Sequence, residues 1–477
     1  MAFVSDISSN LFSHTIPQNL SSLSLKKKTF PPLALRYQTT LQTLTLDAKL
    51  IVTGPSQLSG HVEISGSKNS ALAVLAGTLC CSGTSILRRM PDLSDTRSMI
   101  SILQSLGSRV EISNGEIVVN TEGICSLEPC PRSVGKMRAG FFVVGPLLSR
   151  FGEAVVALPG GCDIGARPTD LFLDGLRALG AVVELRDGKV HACAANGRRL
   201  VGGRFHLSYP SVGATETLMM AASMADGVTV LTNVAQEPEV VDLAQFLIAS
   251  GAIVEGVGTG KLVIHGRKQL HGAEFTIIPD RIEAGTFAVA AAITRSCISM
   301  SPVIPHHLTC MMNRLSAAGC KIAHRDSVLE VSAVPAMVGG DLQGFHFKTC
   351  PYPGFPTDLQ PQFMVLLATC NGSWTVDESV FEGRMTHVRG LQKLGARIQV
   401  CGSSALVHGK DHGSTLRGSR VVATDLRGGA SLVLAGMAAE GITQIIGAAH
   451  IDRGYENLEK KLHSLGADVR RFGIQQS

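Results

Sequence analysis

Apolar and polar positions along the chain follow two patterns, and both recur six times. The first is small/apolar–Gly–small–x–Val/Ile, seen in "SLGSRVEI", "ALGAVVEL", "ASGAIVEG", "AAGCKIAH", "KLGARIQV" and "SLGADVRR". Its glycines are Gly107, Gly180, Gly251, Gly319, Gly395 and Gly466, spaced by 73, 71, 68, 76 and 71 residues. Each follows an amphipathic helical stretch and precedes alternating residues. This predicts a helix ended by a C-cap glycine and turned into a strand. Spacing this regular marks a repeat architecture.

The second pattern keeps step with the first: a short strand, a polar turn, then a helix made almost wholly of small apolar residues. Its versions begin near "GSKNSALAVLAGTL", "GKMRAGFFVVGPLL", "SVGATETLMMAASM", "RIEAGTFAVAAAIT", "PTDLQPQFMVLLAT" and "LRGGASLVLAGMAA". A helix apolar on all sides must be buried on all sides. The expected fold is therefore α/β, with each repeat wrapping a sheet and an outer helix around an inner helix. Three repeats make each of two globular halves of about 200 residues, an ordinary domain size. Polar residues stand at the N-terminal tips of the inner helices: Lys68, Asn69, Arg138, Ser211, Glu283, Asp358 and Arg427. With the halves facing tip to tip, helix N-termini and cations converge on one cleft, a field suited to a strongly anionic small molecule.

Composition narrows the partners. Of 477 residues, 45% are hydrophobic and 17% charged, enough apolar material for large cores. Aromatics at 5%, a net charge of +5 and no Lys/Arg block in the body argue against nucleic acid. Apolar runs stay short of the ~18 residues that would suggest membrane insertion. The twelve cysteines contain no Cys-x-x-Cys pair, which points to a reducing compartment rather than a disulfide framework or a zinc site. Residues 1–46 differ from the rest, with seven Ser, six Thr, the run Lys26-Lys27-Lys28, Arg36 and a single acid, Asp6. That composition predicts a transit peptide, chloroplast rather than mitochondrial because arginine is sparse, the alternative being a plain disordered tail.

One short stretch stands out. In "PGGCDIGARPTDL", Cys162 lies among Gly160, Gly161 and Gly165. A Gly-Gly-Cys-Asp turn is a poor place for a buried thiol, and its glycines make a loop able to close over a ligand and exclude water.

This stretch, together with "GSKNSALAVLAGTL", "SVGATET", "QEPEVVD", "PDRIEAGTF", "FPTDLQPQF", "VFEGRMTHV", "ATDLRGGASLVLAG" and "HIDRGYENLEKKL", resembles the UDP-N-acetylglucosamine enolpyruvyl transferase family. The resemblance runs in order from about Leu46 to Gly473. It implies an inside-out α/β barrel fold of two three-unit domains, residues 47–67 plus 280–477 and residues 68–279, with the active site between them. It also implies transfer of the enolpyruvyl group of phosphoenolpyruvate to the 3′-hydroxyl of UDP-N-acetylglucosamine, with no metal or other cofactor.

Carried over residue by residue, the resemblance assigns phosphoenolpyruvate to Lys68, Asn69, Arg167, Arg427 and Arg453. Fixed cations suit its carboxylate and phosphate. It assigns the sugar nucleotide to Asn69, Arg138, Arg167, Pro168, Thr169, Asp170, Leu171, Tyr209, Pro210, Ser211, Val212, Gly213, Asp358 and Val380. Cys162 resembles a general acid that protonates C3 of the enol and is the expected target of an epoxide phosphonate. Asp358 resembles the base that takes the sugar hydroxyl's proton; a helix N-cap is its other reading. Lys68 and Arg453 complete the catalytic set. Three positions depart from the family pattern. Phe172 replaces a histidine of some members, Tyr209 a lysine, and Gly383 a more usual asparagine, all of which bears on affinity. The sister family acting on shikimate 3-phosphate is disfavoured, because "VGKMRAG" stands where its "GNAGT" turn would be and because of the loop cysteine. A catalytically retired scaffold is the remaining alternative.

Overall fold

The computed structural model describes residues 48–473 apart from Asn114, Asp163, residues 166–168 and residues 196–198. The expected transit segment 1–46 lies outside the described residues, which form one compact unit. Twelve helices carry the repeat, two to each. They are α1 (Lys68–Gly77) and α2 (Ser94–Ser105), α3 (Val144–Phe151) and α4 (Asp170–Ala178), α5 (Val212–Ala222) and α6 (Pro238–Ala249). Then come α7 (Arg281–Ile293) and α8 (Thr309–Ala317), α9 (Gln360–Thr369) and α10 (Val388–Lys393), α11 (Leu426–Ala438) and α12 (Leu458–Ser464).

The odd-numbered helices are the inner ones. In α7 every residue from Ile282 to Ile293 is buried, and α1 is buried except at Asn69. Four inner helices start on a side-chain cap. Ser67, Ser211, Asp280 and Asp425 accept first-turn N–H groups of α1, α5, α7 and α11, groups that would otherwise be orphaned in an apolar interior. The even-numbered helices end as the pattern predicts. Gly107, Gly180, Gly251, Gly319, Gly395 and Gly466 have φ of 103°, 81°, 96°, 106°, 99° and 102°, and a strand follows each.

Two inner helices begin differently from a plain repeat. A six-residue 3-10 run, Arg138–Val143, precedes α3, and a 3-10 turn, Thr357–Leu359, precedes α9. Asp358 thus lies inside that turn, and the cap position of α9 is Leu359, with no side-chain bond. The N-cap reading of Asp358 is corrected here: its carboxylate is taken by two guanidinium groups, stronger partners than neutral N–H donors.

Each repeat closes on a small sheet built around three antiparallel strands. In the first, Thr84–Arg88 and Arg109–Ser113 flank Glu116–Asn120, and Glu274–Thr276 adds a parallel edge. The first described strand, Lys49–Gly54, lies between Gly441–Ile446 and Asp468–Phe472, completing the sixth sheet. Ser59–Glu63 pairs in parallel with Cys297–Ser301 of the fourth. Two hydrophobic cores result. One joins Leu50–Ile64 to Ile282–Val469, and the other runs from Ala71 to Ile277. The chain crosses between them twice, side by side. Ser67 N–H donates to Ile278 O (2.7 Å), Asp280 N–H to Ser65 O (2.9 Å), and Lys68 N–H to the Asp280 carboxylate (3.0 Å).

The cap glycines can be tested against a glycine with open surroundings. A Cβ on Gly395 would lie 2.1 Å from Thr415 O, whereas one on Gly441 (φ 88°) meets nothing within 4 Å. Gly441→Ala is expected to cost about 1 kcal/mol from backbone strain alone. Gly395→Ala should cost clearly more, read from urea midpoints at constant slope; equal costs would remove the packing argument.

Candidate active site

The cleft network starts at α1. Lys68, the first residue of that helix and 7% exposed, reaches Asp95 in the first turn of α2, with Nζ to Oδ2 at 3.0 Å. The other oxygen of Asp95 takes Arg453 Nε at 2.9 Å. Arg453 Nη1 in turn lies 3.2 Å from Cys162 Sγ. One buried carboxylate therefore joins a lysine from one core to an arginine from the other, and the arginine holds the loop thiol. Burial would raise the Asp95 carboxyl, but the Lys68 charge and then Arg453 outweigh it and hold it below the usual carboxylate range.

A second cluster forms on Asp358. Asp358 accepts Arg384 Nη1 at 2.7 Å and Arg427 Nε at 3.1 Å, with 22% of its side chain still open. Arg427 is fully buried, over the ring of Tyr455 at 5.1 Å. Burial again opposes ionisation, yet the charges of Arg384, Arg427 and then Lys68 hold Asp358 far below the usual range. A Cβ on Gly454, next to Arg453, would lie 3.5 Å from Arg427 Nη1, which places both clusters around one space. Four cations face two carboxylates there, an excess of two positive charges, which matches a small polyanion.

The Cys162 loop spans this space. Its flank Ala157 packs on the 71–277 core, while Cys162 itself packs on the other. Gly383 N–H donates to Ile164 O at 3.1 Å. A Cβ on Gly383 would lie 2.6 Å from Gly165 N, so the chain there leaves room only for glycine as the loop now sits. Gly383, read in the sequence as a matter of affinity, is first a packing position for the loop.

The other positions expected to hold the sugar nucleotide have the following surroundings. Asn69 Nδ2 donates to Glu239 (3.4 Å), which also pairs with Arg281 at 3.1 Å. The Arg138 guanidinium lies over the Phe172 ring at 5.7 Å, and the same ring limits space at Gly213, where a Cβ would approach it to 2.9 Å. Ser211 caps α5, just before Val212, and Pro210 and Tyr209 precede it. Tyr209 is 38% exposed, and burial, then Glu237 and Glu378, raise its hydroxyl above the usual value. Val380 N–H donates to Glu378 (2.9 Å). Thr169 is the cap residue of α4, Asp170 its exposed first residue, and Leu171 packs on the 71–277 core. Arg167 and Pro168 lie outside the described residues. Glu283 does not join the cleft. It is buried, with Oε1 on Lys461 (2.7 Å) and Oε2 on Ser65 N–H (2.7 Å), at the crossing between cores.

Sequence reasoning missed Asp95 and gave Arg384 no role. Asp95 reads as an ordinary acid in a helix first turn, and its partner Arg453 is 358 residues away. Arg384 stood in a quoted motif, but only the fold brings it to Asp358.

Because Asp95 titrates lower in the folded chain than unfolded, its ion pairs stabilise above pH ~4 and are lost as the pH falls below that. Asp95→Asn is expected to cost about 3 kcal/mol at pH 7 and to flatten the acid decline. Urea unfolding at neutral and acid pH measures both, and an unchanged acid slope would show that Asp95 does not carry it.

Comparison with known proteins places the chain. The family described as EPSP synthase (3-phosphoshikimate 1-carboxyvinyltransferase) matches residues 52–462. A UDP-N-acetylglucosamine 1-carboxyvinyltransferase 2 of Carboxydothermus hydrogenoformans is 48% identical over 89% of this chain and 99% of its own length. The UDP-N-acetylglucosamine 1-carboxyvinyltransferase of Synechocystis sp. is 47% identical over 88% of this chain and 94% of its own. Among solved structures, the enolpyruvyl transferase NikO from Streptomyces tendae superposes with a TM-score of 0.80 at 26% identity, over 90% of this chain and all of that one. An EPSP synthase from Acinetobacter baumannii, at 18% identity and a TM-score of 0.68 over 89% of this chain and all of its own, shares the fold. The chain belongs to the 1-carboxyvinyl (enolpyruvyl) transferase family, on its UDP-N-acetylglucosamine 1-carboxyvinyltransferase side.

Proposed function

We propose that this chain transfers the enolpyruvyl group of phosphoenolpyruvate to the 3′-hydroxyl of UDP-N-acetylglucosamine and releases phosphate, the first committed step of peptidoglycan precursor synthesis. The observation that carries the reading is the pairing of the two clusters: a thiol held by Arg453 beside Lys68 and Asp95, and a carboxylate held by two arginines. Lys68, Arg427 and Arg453, with Arg167, bind the phosphate and carboxylate of phosphoenolpyruvate. The sugar nucleotide takes Asn69, Arg138, residues 167–171, residues 209–213 and Val380.

In the addition step the sugar oxygen bonds to C2 of phosphoenolpyruvate while the Cys162 S–H gives its proton to C3. The proton leaving the sugar hydroxyl goes to Asp358. In elimination a C3 proton returns to the protein, the C2–phosphate oxygen bond breaks, and phosphate leaves. Asp358 is ionised at neutral pH but is a weak base while both guanidinium groups hold it. A bound dianion competing for Arg427 loosens that hold and raises its basicity at the moment the proton must move. The loop across the cleft excludes water from the site. The two cores are read as two domains, residues 47–67 with 280–477 and residues 68–279.

The direct test is phosphate release from phosphoenolpyruvate. It should depend on UDP-N-acetylglucosamine and not occur with shikimate 3-phosphate; the reverse dependence would overturn the reading. Asp358→Asn is expected to keep the folded circular-dichroism spectrum and cut turnover at least ~100-fold, and near-normal turnover would remove Asp358 as base.

We also propose import into the chloroplast stroma by residues 1–46, supported by their Ser/Thr-rich, acid-poor composition. The protein purified from plastids should then begin near residue 46, and Edman sequencing that finds Met1 intact would refute it.

A further inference from the structure

The loop between the first and second repeats carries two cysteines that the chemistry above does not use. Cys125 and Cys130 are both exposed and free. They are tethered to neighbouring points at the C-terminal end of α2. Cys125 N–H donates to Leu106 O at 2.9 Å, and Cys130 N–H donates to Ser105 Oγ at 3.0 Å. The Cys125 sulfur sits against the cap glycine, 2.9 Å from where a Cβ of Gly107 would be. Four residues separate the pair: Glu128 is exposed, Ser126 and Leu127 are half-buried and Pro129 is buried. A disulfide needs Cα atoms about 4.4–6.8 Å apart, and the two cysteines are tethered to consecutive residues of one helix end. The Ser133 N–H, then the Ser133 side chain, hold the Cys130 thiol below its usual pKa, which makes it the attacking sulfur of the two.

The same loop bears on the cleft at two points. Between the cysteines, Leu127 O accepts Val155 N–H (3.0 Å) from the strand Glu153–Ala157, which runs directly into the Cys162 loop. Beyond Cys130, the one-turn helix Pro131–Val134 ends at Gly135, whose carbonyl backs onto Gly160 of that loop. A Cβ on Gly160 would lie 1.8 Å from the oxygen. Both contacts link the 125–135 segment to the chain that carries Cys162.

We propose that Cys125 and Cys130 are a site of reversible oxidation, an intramolecular disulfide that displaces the Cys162 loop and slows the enzyme. The oxidant is a small disulfide. The Cys130 thiolate attacks one of its sulfurs and expels one thiol. Cys125 then attacks the mixed disulfide and expels the second. One S–S bond forms in the protein and one breaks in the oxidant, which carries off two electrons and two protons as two thiols. The effect on rate rests on the function proposed above; the bond itself does not.

The test uses the full chain, incubated with oxidised glutathione or with dithiothreitol, then alkylated and digested with trypsin. Residues 110–132 form one tryptic peptide containing these two cysteines and no others. After oxidation that peptide should be lighter by two hydrogens and resist alkylation, and dithiothreitol should reverse both. Turnover should fall by up to about 100-fold, the scale of an ångström misplacement of a catalytic group, and the alkylation rate of Cys162 should change with it. In the Cys125→Ser/Cys130→Ser double variant both readouts should be indifferent to the oxidant. Two free thiols, or two separate glutathione adducts, on the peptide would overturn the disulfide. An equal loss of turnover and equal change at Cys162 in the double variant would overturn its control of the loop. A chain inactive in both redox states would count against the proposed function, while the peptide mass and the Cys162 alkylation rate would still decide this inference.

Discussion

The structure turns on the carboxylate of Asp280. One oxygen accepts the N–H groups of Ile282 and Glu283 and so starts α7, the first inner helix of one core. The other accepts the N–H of Lys68 and so fixes the start of α1, the first inner helix of the other core. A single side chain thus sets two buried helix N-termini side by side at the point where the chain crosses. Glu239 makes a second tie nearby, taking Arg281 at the head of α7 and Asn69 at the head of α1. The position of Lys68 relative to Asp358, and with it the charge pattern of the cleft, follows from these few bonds.

Burying helices on all sides imposes a constraint that the active site uses. An inner helix can present polar residues to a cleft only at its ends, because its flanks are packed inside the fold. Six such helices deliver lysine, arginine, serine and aspartate at their heads, together with the positive end of each helix dipole. The cations then need partners, since isolated buried charges are costly. Asp95 and Asp358 supply them, and both are held ionised by the charges they neutralise. The result is a cleft with its cations already oriented and a net positive excess left for an anion.

Much of this was legible from residues alone, and for a physical reason. The glycine at each outer-helix end occupies a left-handed backbone conformation that other residues adopt only with strain, so its spacing reports the repeat directly. The Ala- and Val-rich inner helices report burial because their flanks carry few polar side chains, and buried ones such as Thr286 and Gln362 bond to each other and to Tyr455. Lys68, Asp358 and Arg427 were singled out because repeat position placed them at helix heads. Glu283 shows the limit of that argument, since a helix-head position does not say which way the side chain turns, and Lys461 draws it out of the cleft.

The sequence by itself determined the six-fold repeat, the inner and outer helices, and the residue types gathered at the helix heads, because periodicity and backbone conformation are local properties. Only the tertiary structure decided which charges meet. Asp95 bridging Lys68 and Arg453, Arg384 clamping Asp358, and Gly383 making room for the Cys162 loop all join segments far apart in the chain. Their energies depend on distance, burial and direction, and a string of residues specifies none of these until the cores have packed.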